Sequence, residues 1–302
     1  MAQILSSNKS RIKCIIIFSL LPLVLLLLVI RAYPIALAIA RSFTNWDGMY
    51  QKDWVGLKNY INFIKEGPFL IILRNNLFLL LSVPLQVLLG FFIALLLYER
   101  VIGWKFFRAV IYTPQIISAV IVAYLFKVFF GFHGPVNIIL KIIGLNSLAI
   151  EWFRNPYTAL SVMVISLTWY GLGWQAIIML GGMSLIDTSI LEAAIIDGAN
   201  YWQRAFGIMF PMILRVIEFG VIASSIWTLT QLFPYIHLMT RGGPGYETTT
   251  LDYMIYLKSF GFSFGINYGA ACAIAVILLF VIFIVTLIEM WITRRVQFGK
   301  RL

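Results

Sequence analysis

Six long apolar stretches, separated by short polar segments, set the terms on which this chain can fold. They cover residues 14–40, 71–98, 107–130, 157–180, 212–234 and 268–292. Each reaches the about 20 mostly apolar residues that cross about 30 Å of hydrocarbon. Inside hydrocarbon no water satisfies backbone N–H and C=O groups, so only helices and closed barrels can span it. The stretches are continuous and do not alternate over about 10 residues as barrel strands do. The expected fold is therefore all-α: a polytopic membrane protein with six transmembrane helices. Charged residues make up only 12% of the 302 residues, against about one quarter in soluble domains. The formal net charge of +11 reads as Lys and Arg at cytoplasmic span ends. No clustered basic stripe or RNA-type motif accompanies it, so the sequence predicts no nucleic-acid partner.

The start resembles a signal peptide superficially, since Lys9, Arg11 and Lys13 precede the apolar run 15–30. That run is too long for an ordinary signal and lacks an early small-x-small cleavage site, so an uncleaved first span is expected. Lys and Arg also place the termini. The N-terminal tail 1–13, the C-terminal tail 294–302 with Arg294, Arg295, Lys300 and Arg301, and the connection with Arg100, Lys105 and Arg108 share one side in a six-span chain. That side is predicted to be cytoplasmic. The first outer segment weakens the bias, with Arg41, Lys52, Lys58, Lys65 and Arg74 against Asp47, Asp53 and Glu66. Cys14 and Cys272 lie in apolar runs and read as small hydrophobes. No Cys/His spacing suggests a metal site, and neither His133 nor His237 has a partnered nucleophile. Pro84 and Pro114 are expected to kink their helices.

The connection 187–211 carries a structure of its own. Asp187 or Ser189 can cap a first short helix, and Ser189-x-x-Glu192 has capping-box spacing. Gly198 can take the left-handed conformation that ends it. Asn200, with Gln203 three residues on, can cap a second helix, and Pro211 is expected to open the fifth span. Ala193 and Ala194 offer a surface of close approach. The spacing Glu192-Ala193-Ala194, three residues, Gly198, nine residues, Ile208, one residue, Phe210-Pro211 resembles the EAA loop of binding-protein-dependent ABC importer permeases, with Phe where the family has Leu. Asp197 before Gly198-Ala199 matches the carbohydrate branch. The resemblance implies a cytoplasmic helix–turn–helix coupling loop, with Glu192, Ala193, Ala194, Asp197, Gly198, Ile208 and Pro211 docking on an ABC ATPase dimer. No Gly-x-x-x-x-Gly-Lys-Ser/Thr phosphate loop occurs in the chain. ATP and Mg are thus expected on the partner ATPase, no cofactor on this chain, and no enzymatic activity of its own.

The resemblance covers nearly the whole length. Tyr33-Pro34, Ser42 to Trp46 and Trp54 to Tyr60 look like the first-span exit of carbohydrate permeases. Gly242-Gly243-Pro244, followed by Thr248-Thr249-Thr250-Leu251, looks like the outer loop of the maltose- and glycerol-phosphate-type members. It implies a transmembrane permease domain over 14–293, with an outer loop at 235–265 turned toward an extracellular or periplasmic solute-binding protein. It further implies a second permease subunit in a heterodimer, a carbohydrate substrate, and a multi-pass place in the plasma (inner) membrane of a prokaryote, with both termini cytoplasmic. A sugar path suits aromatic rings beside amides and hydroxyls. The candidates are Trp169, Tyr170, Trp174 and Gln175 in the fourth span and Trp227 and Gln231 in the fifth. Ionisable groups in spans are functional hypotheses by default. Glu218 is expected to pair with Arg215, and Lys127 and Glu289 to snorkel toward span ends. The alternative class is an ion-coupled secondary transporter, which calls for midplane carboxylates and inverted repeats; one deep carboxylate and no clear repeat are present.

Overall fold

The computed structural model describes residues 2–49, 53–261 and 266–298, with side chains from Ile15 to Arg295 within those ranges except Glu66. Lys52, Lys300 and Arg301 lie outside the described residues, as do the side chains of Lys9, Arg11, Lys13, Cys14 and Glu66.

Twelve helices carry the argument. They are α1 (apolar portion Ile15–Ser42), α2 (Phe69–Tyr98), α3 (Trp104–Ile116), α4 (Ala119–Phe129), α5 (Pro135–Ile142), α6 (Pro156–Met183), α7 (Thr188–Ile196), α8 (Tyr201–Met212), α9 (Leu214–Thr230), α10 (Phe233–Met239), α11 (Leu251–Phe260) and α12 (Tyr268–Phe298). Among the described residues there is no strand, only the isolated bridge between Thr44 and Trp54. The all-α expectation holds. Among the described residues four helices, α1, α2, α6 and α12, are long and apolar enough to cross a membrane; the number rises to six if each of two bent pairs counts as one span.

Those bends depart from the straight spans that the sequence suggests. Between α3 and α4 the axis turns by 98°, and between α8 and α9 by 68°. The first break falls at Ile117–Ser118, after Pro114 rather than at it. In α2 the helix is interrupted at Leu80–Leu81, four residues before Pro84. Proline lacks an N–H and its ring crowds the carbonyl four residues back, so that is where the ladder gives way. The hydroxyl of Ser82 donates to the Leu79 carbonyl (2.8 Å) and satisfies one freed group.

A second device serves Pro34 and Pro211. Each follows a π-helical turn by two residues: Leu28–Ala32 and Ala205–Met209. Tyr33 N–H donates to the Leu28 carbonyl and Phe210 N–H to the Ala205 carbonyl, five residues back instead of four. The wider turn shifts the carbonyl that a proline ring would otherwise strike. Pro211 consequently lies near the end of α8, and α9, the second half of that bent pair, begins after Ile213.

The core gathers around α6, which packs on the second half of α2, on α3 and on α9. Small residues set the approach. A Cβ on Gly173 would fall 2.3 Å from the Ile111 carbonyl oxygen, and one on Gly90 would fall 2.9 Å from Gln175 Cβ. Carboxamides bind the same helices: Gln86 Nε2 donates to the Leu167 carbonyl (3.0 Å), and Gln175 Nε2 to the Gly220 carbonyl (2.9 Å) and Ser224 Oγ (2.9 Å). One apolar cluster, with Leu79, Leu160, Leu167, Leu232 and Tyr235, fills the space beside α10. Another, with Phe91, Leu95, Met179, Met183, Ala205 and Met209, seats α8 on α2 and α6. By contrast, none of the most apolar window of α1 is buried within the chain.

Two expectations for charges fail. Among the described residues Arg215 and Glu218 form no ion pair; Arg215 is exposed and Glu218 half-buried. Glu289 does not snorkel: it accepts a hydrogen bond from Ser225 Oγ across α9 and α12, where burial next to a hydroxyl competes with a route to water. Lys127 does reach out, donating from Nζ to the Leu238 carbonyl (2.6 Å) in the last turn of α10, where a cation suits the helix dipole.

Packing at Gly173 yields a direct test. Gly173→Ala should lower stability by about 1–3 kcal/mol through overpacking against backbone. Gly181→Ala, where an added Cβ meets nothing within 4 Å, should be neutral or gain about 0.5–1 kcal/mol. Melting temperatures of the two variants in one detergent separate the effects.

Candidate functional site

Three regions combine exposed or unsatisfied polar groups with defined geometry. The first is the helix–turn–helix α7–α8. Asp187 is the N-cap of α7: its Oδ1 accepts from Ser189 N–H (3.0 Å), and that bond holds the carboxyl below its ordinary range. Ser189 is thus the capped residue rather than the cap, and no capping box forms with Glu192. Gly198 has φ +84°. Its N–H donates to Ile195 O (3.0 Å) and Ala199 N–H donates to Ala194 O (2.9 Å), the bond pair of a Schellman ending. Asn200 and Gln203 then form a full capping box at the start of α8 (2.7 and 2.9 Å).

Since both helix ends are satisfied locally, Glu192 is left with no hydrogen bond or ion pair among the described residues. Glu192, Ala193, Asp197 and Gly198 are exposed; Ala194 is buried at 8%, and Ile208 and Pro211 are half-buried. Beside them stand two apolar side chains open to the surroundings, Ile196 at 85% and Leu185 at 87%. Ala205 and Met209, on the opposite face of α8, are anchored in the cluster with Phe91 and Met179.

The second region is a cavity of about 250 Å³ between α2, α3, α6 and α9, lined by Gln86, Gln115, Tyr170, Trp174, Ser224 and Trp227 together with Gly171 and Ala223. Tyr170 and Trp227 stack, with centroids 5.1 Å apart at 23°. The structure thereby brings Tyr170, Trp174 and Trp227 together and leaves three candidates elsewhere. Trp169 packs on Phe126 (5.7 Å) with 39% of its surface open, away from the cavity. Gln175 is the fully buried strut to α9 described above. Gln231 is exposed at the end of α9. Adjacent helix positions differ by about 100°, since a turn takes 3.6 residues, so Trp169 and Tyr170 cannot face one site. Gln86 and Gln115 escaped the sequence reading. The available signal was a lone carboxamide in an apolar run, two residues after Pro84 and one after Pro114.

The third region is the outer segment 240–252. Gly242 is buried, with φ +81°, and a Cβ there would meet Thr249 Oγ1 at 2.5 Å. Thr249 Oγ1 donates to the Gly242 carbonyl (3.0 Å) and Thr248 Oγ1 to the Gly243 carbonyl (2.9 Å). Gly242 is therefore an internal hinge pin of the loop, and Pro244 and Gly245 form its exposed tip. The start of α2 fastens the loop. Asn75 Nδ2 donates to the Tyr246 (3.1 Å) and Thr249 (2.9 Å) carbonyls, Asn76 Oδ1 accepts from Leu251 N–H (2.9 Å), and Arg74 pairs with Glu247. Asp252, at the first turn of α11, accepts from Thr250 Oγ1. Burial pushes its carboxyl up to about 6, opposed by Thr250 and by the N–H groups of Tyr253, Phe233 and Leu232.

Comparison with known proteins concerns the family and the fold. Residues 86–298 match the family model described as binding-protein-dependent transport system inner membrane component. A probable ABC transporter permease of Pyrococcus horikoshii is 33% identical, over 90% of this chain and 93% of that one. The lactose transport system permease of Rhizobium radiobacter is 32% identical, over 85% and 87%. In fold, the chain is similar to the crystal structure of a bacterial ABC transporter involved in the import of the acidic polysaccharide alginate. The TM-score is 0.79, the identity 24%, and the coverage 96% of this chain and 98% of that one.

Asp252 generates a pH prediction. Its native value near 6 lies above the ordinary 3.8, so between these values the native state holds the extra proton. Stability should fall as pH rises through about 4–6, by about 3 kcal/mol in all at 1.36 kcal/mol per unit. Asp252→Asn should flatten that slope in thermal melts recorded from pH 4 to 7.

Proposed function

The chain belongs to the binding-protein-dependent transport system inner membrane component family, and from that premise we propose that it is the membrane permease of an ATP-driven importer that carries a sugar or sugar derivative. The observation that carries the coupling is α7–α8: a self-capped helix–turn–helix that leaves Glu192 and Ile196 unspent, with Leu185 exposed in the turn before it. Hydrogen bonds saturated within the loop make it a rigid knob, and rigid knobs transmit displacement. Glu192, Ala193, Ala194, Asp197, Gly198, Ile208 and Pro211 would form or shape its contact with a separate ABC ATPase dimer on the cytoplasmic side, together with both chain termini. That subunit would hold ATP and Mg. Closure of its dimer would rock the knob, and α8, packed on α2 and α6, would pass the motion into the bundle. The cavity with Tyr170, Trp174 and Trp227 would then open alternately to each side.

A solute-binding protein outside the membrane would deliver the sugar at the Pro244–Gly245 tip, behind which Gly242 and Gly243 set the loop. The lactose permease among the relatives supports a carbohydrate cargo. A second, related permease would complete the pathway and cover the first part of α1, residues 15–32, whose side chains are all exposed. On this reading residues 14–293 form the permease domain, with 187–211 as coupling loop and 235–265 as outer loop.

The test is co-purification with an ABC ATPase of the same cell. Ile196→Glu places a charge on a side chain that is 85% exposed, so the fold should be unaffected. Retained ATPase should drop about tenfold or more, as buried unpaired charge opposes an interface, and uptake in proteoliposomes should fall with it. No retained ATPase with the unaltered chain, or uptake unchanged by Ile196→Glu, would sink the coupling role.

A further inference from the structure

At the end of the bundle that carries α7, the last turns of α2 and α6 and the first turns of α3 and α7 surround a cavity of about 620 Å³. Its wall holds two guanidinium groups, Arg100 and Arg108, beside Trp104, Gly181, Ser184 and Thr188. Gly181 keeps the space next to it clear, since a Cβ there would meet nothing within 4 Å. Among the described residues neither arginine forms an ion pair. The acids nearest in sequence, Glu99 and Asp187, do not line the cavity, and Asp187 is spent on capping α7 through Ser189 N–H (3.0 Å). Ser184 Oγ donates to the Leu180 carbonyl (2.8 Å). The donors left at the wall therefore include both guanidiniums and the Thr188 hydroxyl. Arg100 also sits in the left-handed region, with φ +51°, a conformation that side chains rarely adopt. Glycine would take it without strain, so a local cost is accepted where a guanidinium reaches the cavity. On α3, Trp104 and Arg108 are one turn apart and both line the cavity, whereas Phe106 and Phe107, 69% and 49% exposed, do not. Two cations thus converge on one recess instead of merely reaching for water from an apolar surface.

We propose that Arg100 and Arg108 form an anion site at the seam between the α2–α3 turn and α7, and that it takes a phosphate group carried by an anionic lipid or by a soluble phosphate ester. A guanidinium presents a planar fork of donors that matches phosphate oxygens, and basic recesses between span ends suit anionic headgroups. The site asks nothing of the cargo and stands apart from the carbohydrate reading. A phosphate held there ties the α2–α3 turn to the first turn of α7, and so favours the arrangement that it bridges. For a lipid, Phe106 and Phe107 offer apolar surface to an acyl chain. For a soluble ester, the volume of about 620 Å³ falls within the about 300–1,000 Å³ of small-molecule sites.

The experiment follows the melting temperature of the full chain, alone in detergent and assembled with an ABC ATPase. Glycerol 2-phosphate is titrated against glycerol, at concentrations too low for a general salt effect. In parallel the chain is melted in nanodiscs of phosphatidylcholine and of phosphatidylcholine mixed with phosphatidylglycerol. At least one phosphate probe should raise the melting temperature, along the curve expected of a ligand that binds the folded state. A response to glycerol 2-phosphate identifies the soluble source, and a response to phosphatidylglycerol alone identifies the lipid. Arg108→Gln should weaken the apparent affinity about tenfold or more, or erase the difference between the two nanodiscs. Arg100→Gly should do the same while leaving the probe-free chain as stable as before or more so, a split that a folding defect would not give. Lys105 lies over the Trp104 ring (5.8 Å) and outside the cavity, so Lys105→Gln should leave the response intact. Stabilisation by neither phosphate probe, or an equal loss in Lys105→Gln, overturns the proposal. A response that disappears on assembly with the ATPase overturns it too, and makes this recess a protein contact.

Discussion

The approach of α2, α3 and α9 to α6 is the contact on which the rest depends. In lipid there is no hydrophobic gain in bringing helices together, so association rests on close packing and hydrogen bonds between helices. The chain supplies both at the same places. Gly90 and Gly173 remove the side chains that would hold α2 and α3 away, and Gln86 and Gln175 donate across the gaps they leave. The pairing is reciprocal, since Gly171 and Gly220 each make room for one of these amides. A carboxamide in hydrocarbon is expensive unless bonded, so each glutamine fixes its helix at one distance and one rotation.

Backbone satisfaction explains the irregularities. The π turns before Pro34 and Pro211 and the interruption of α2 before Pro84 stand where a regular ladder would lose a donor and clash with a carbonyl. Ser82 and the five-residue hydrogen bonds at Tyr33 and Phe210 return partners to freed groups, and Asn75 and Asn76 do the same for the irregular backbone of the outer loop. Irregular backbone at such depth is tolerated where it is buried in protein or lines a cavity. Gln115 sits at such an irregularity, which frees it to face inward instead of packing along a straight helix.

How much of this was legible depended on whether the signal was local. The ending of α7 at Gly198 and the Asn200–Gln203 box were readable, because caps are patterns of three or four residues. The position of Pro211 was not, because a π turn leaves no mark in the periodicity. Six apolar stretches predicted spans but not the 98° and 68° bends, which tertiary packing imposes. Tyr170, Trp174 and Trp227 stood out as aromatic residues in a polar cluster. The same rule selected Trp169 and Gln231, since sequence gives the residue type and not the direction it faces. The expected Arg215–Glu218 pair failed for the same reason: one turn of spacing permits contact, but it does not fix where the side chains point, and Arg215 is exposed while Glu218 is half-buried.

A single element reaches all three regions. The start of α2 fastens the outer loop through Arg74, Asn75 and Asn76; its middle presents Gln86 to the cavity; its end packs Phe91 and Leu95 against α8 of the helix–turn–helix. Packed interiors do not deform continuously but exchange one arrangement for another. A displacement of α8 therefore has to move the end of α2 as a body, and the interruption at Leu80–Leu81 is the place along it where helical hydrogen bonds are fewest. On the proposed function, the cavity glutamine travels with the half of α2 that contacts the coupling loop, and the outer latch stays with the other half. Cavity and outer loop are then held on opposite sides of the break before Pro84, and on that proposal a motion at α8 would change the cavity without first dismantling the outer loop.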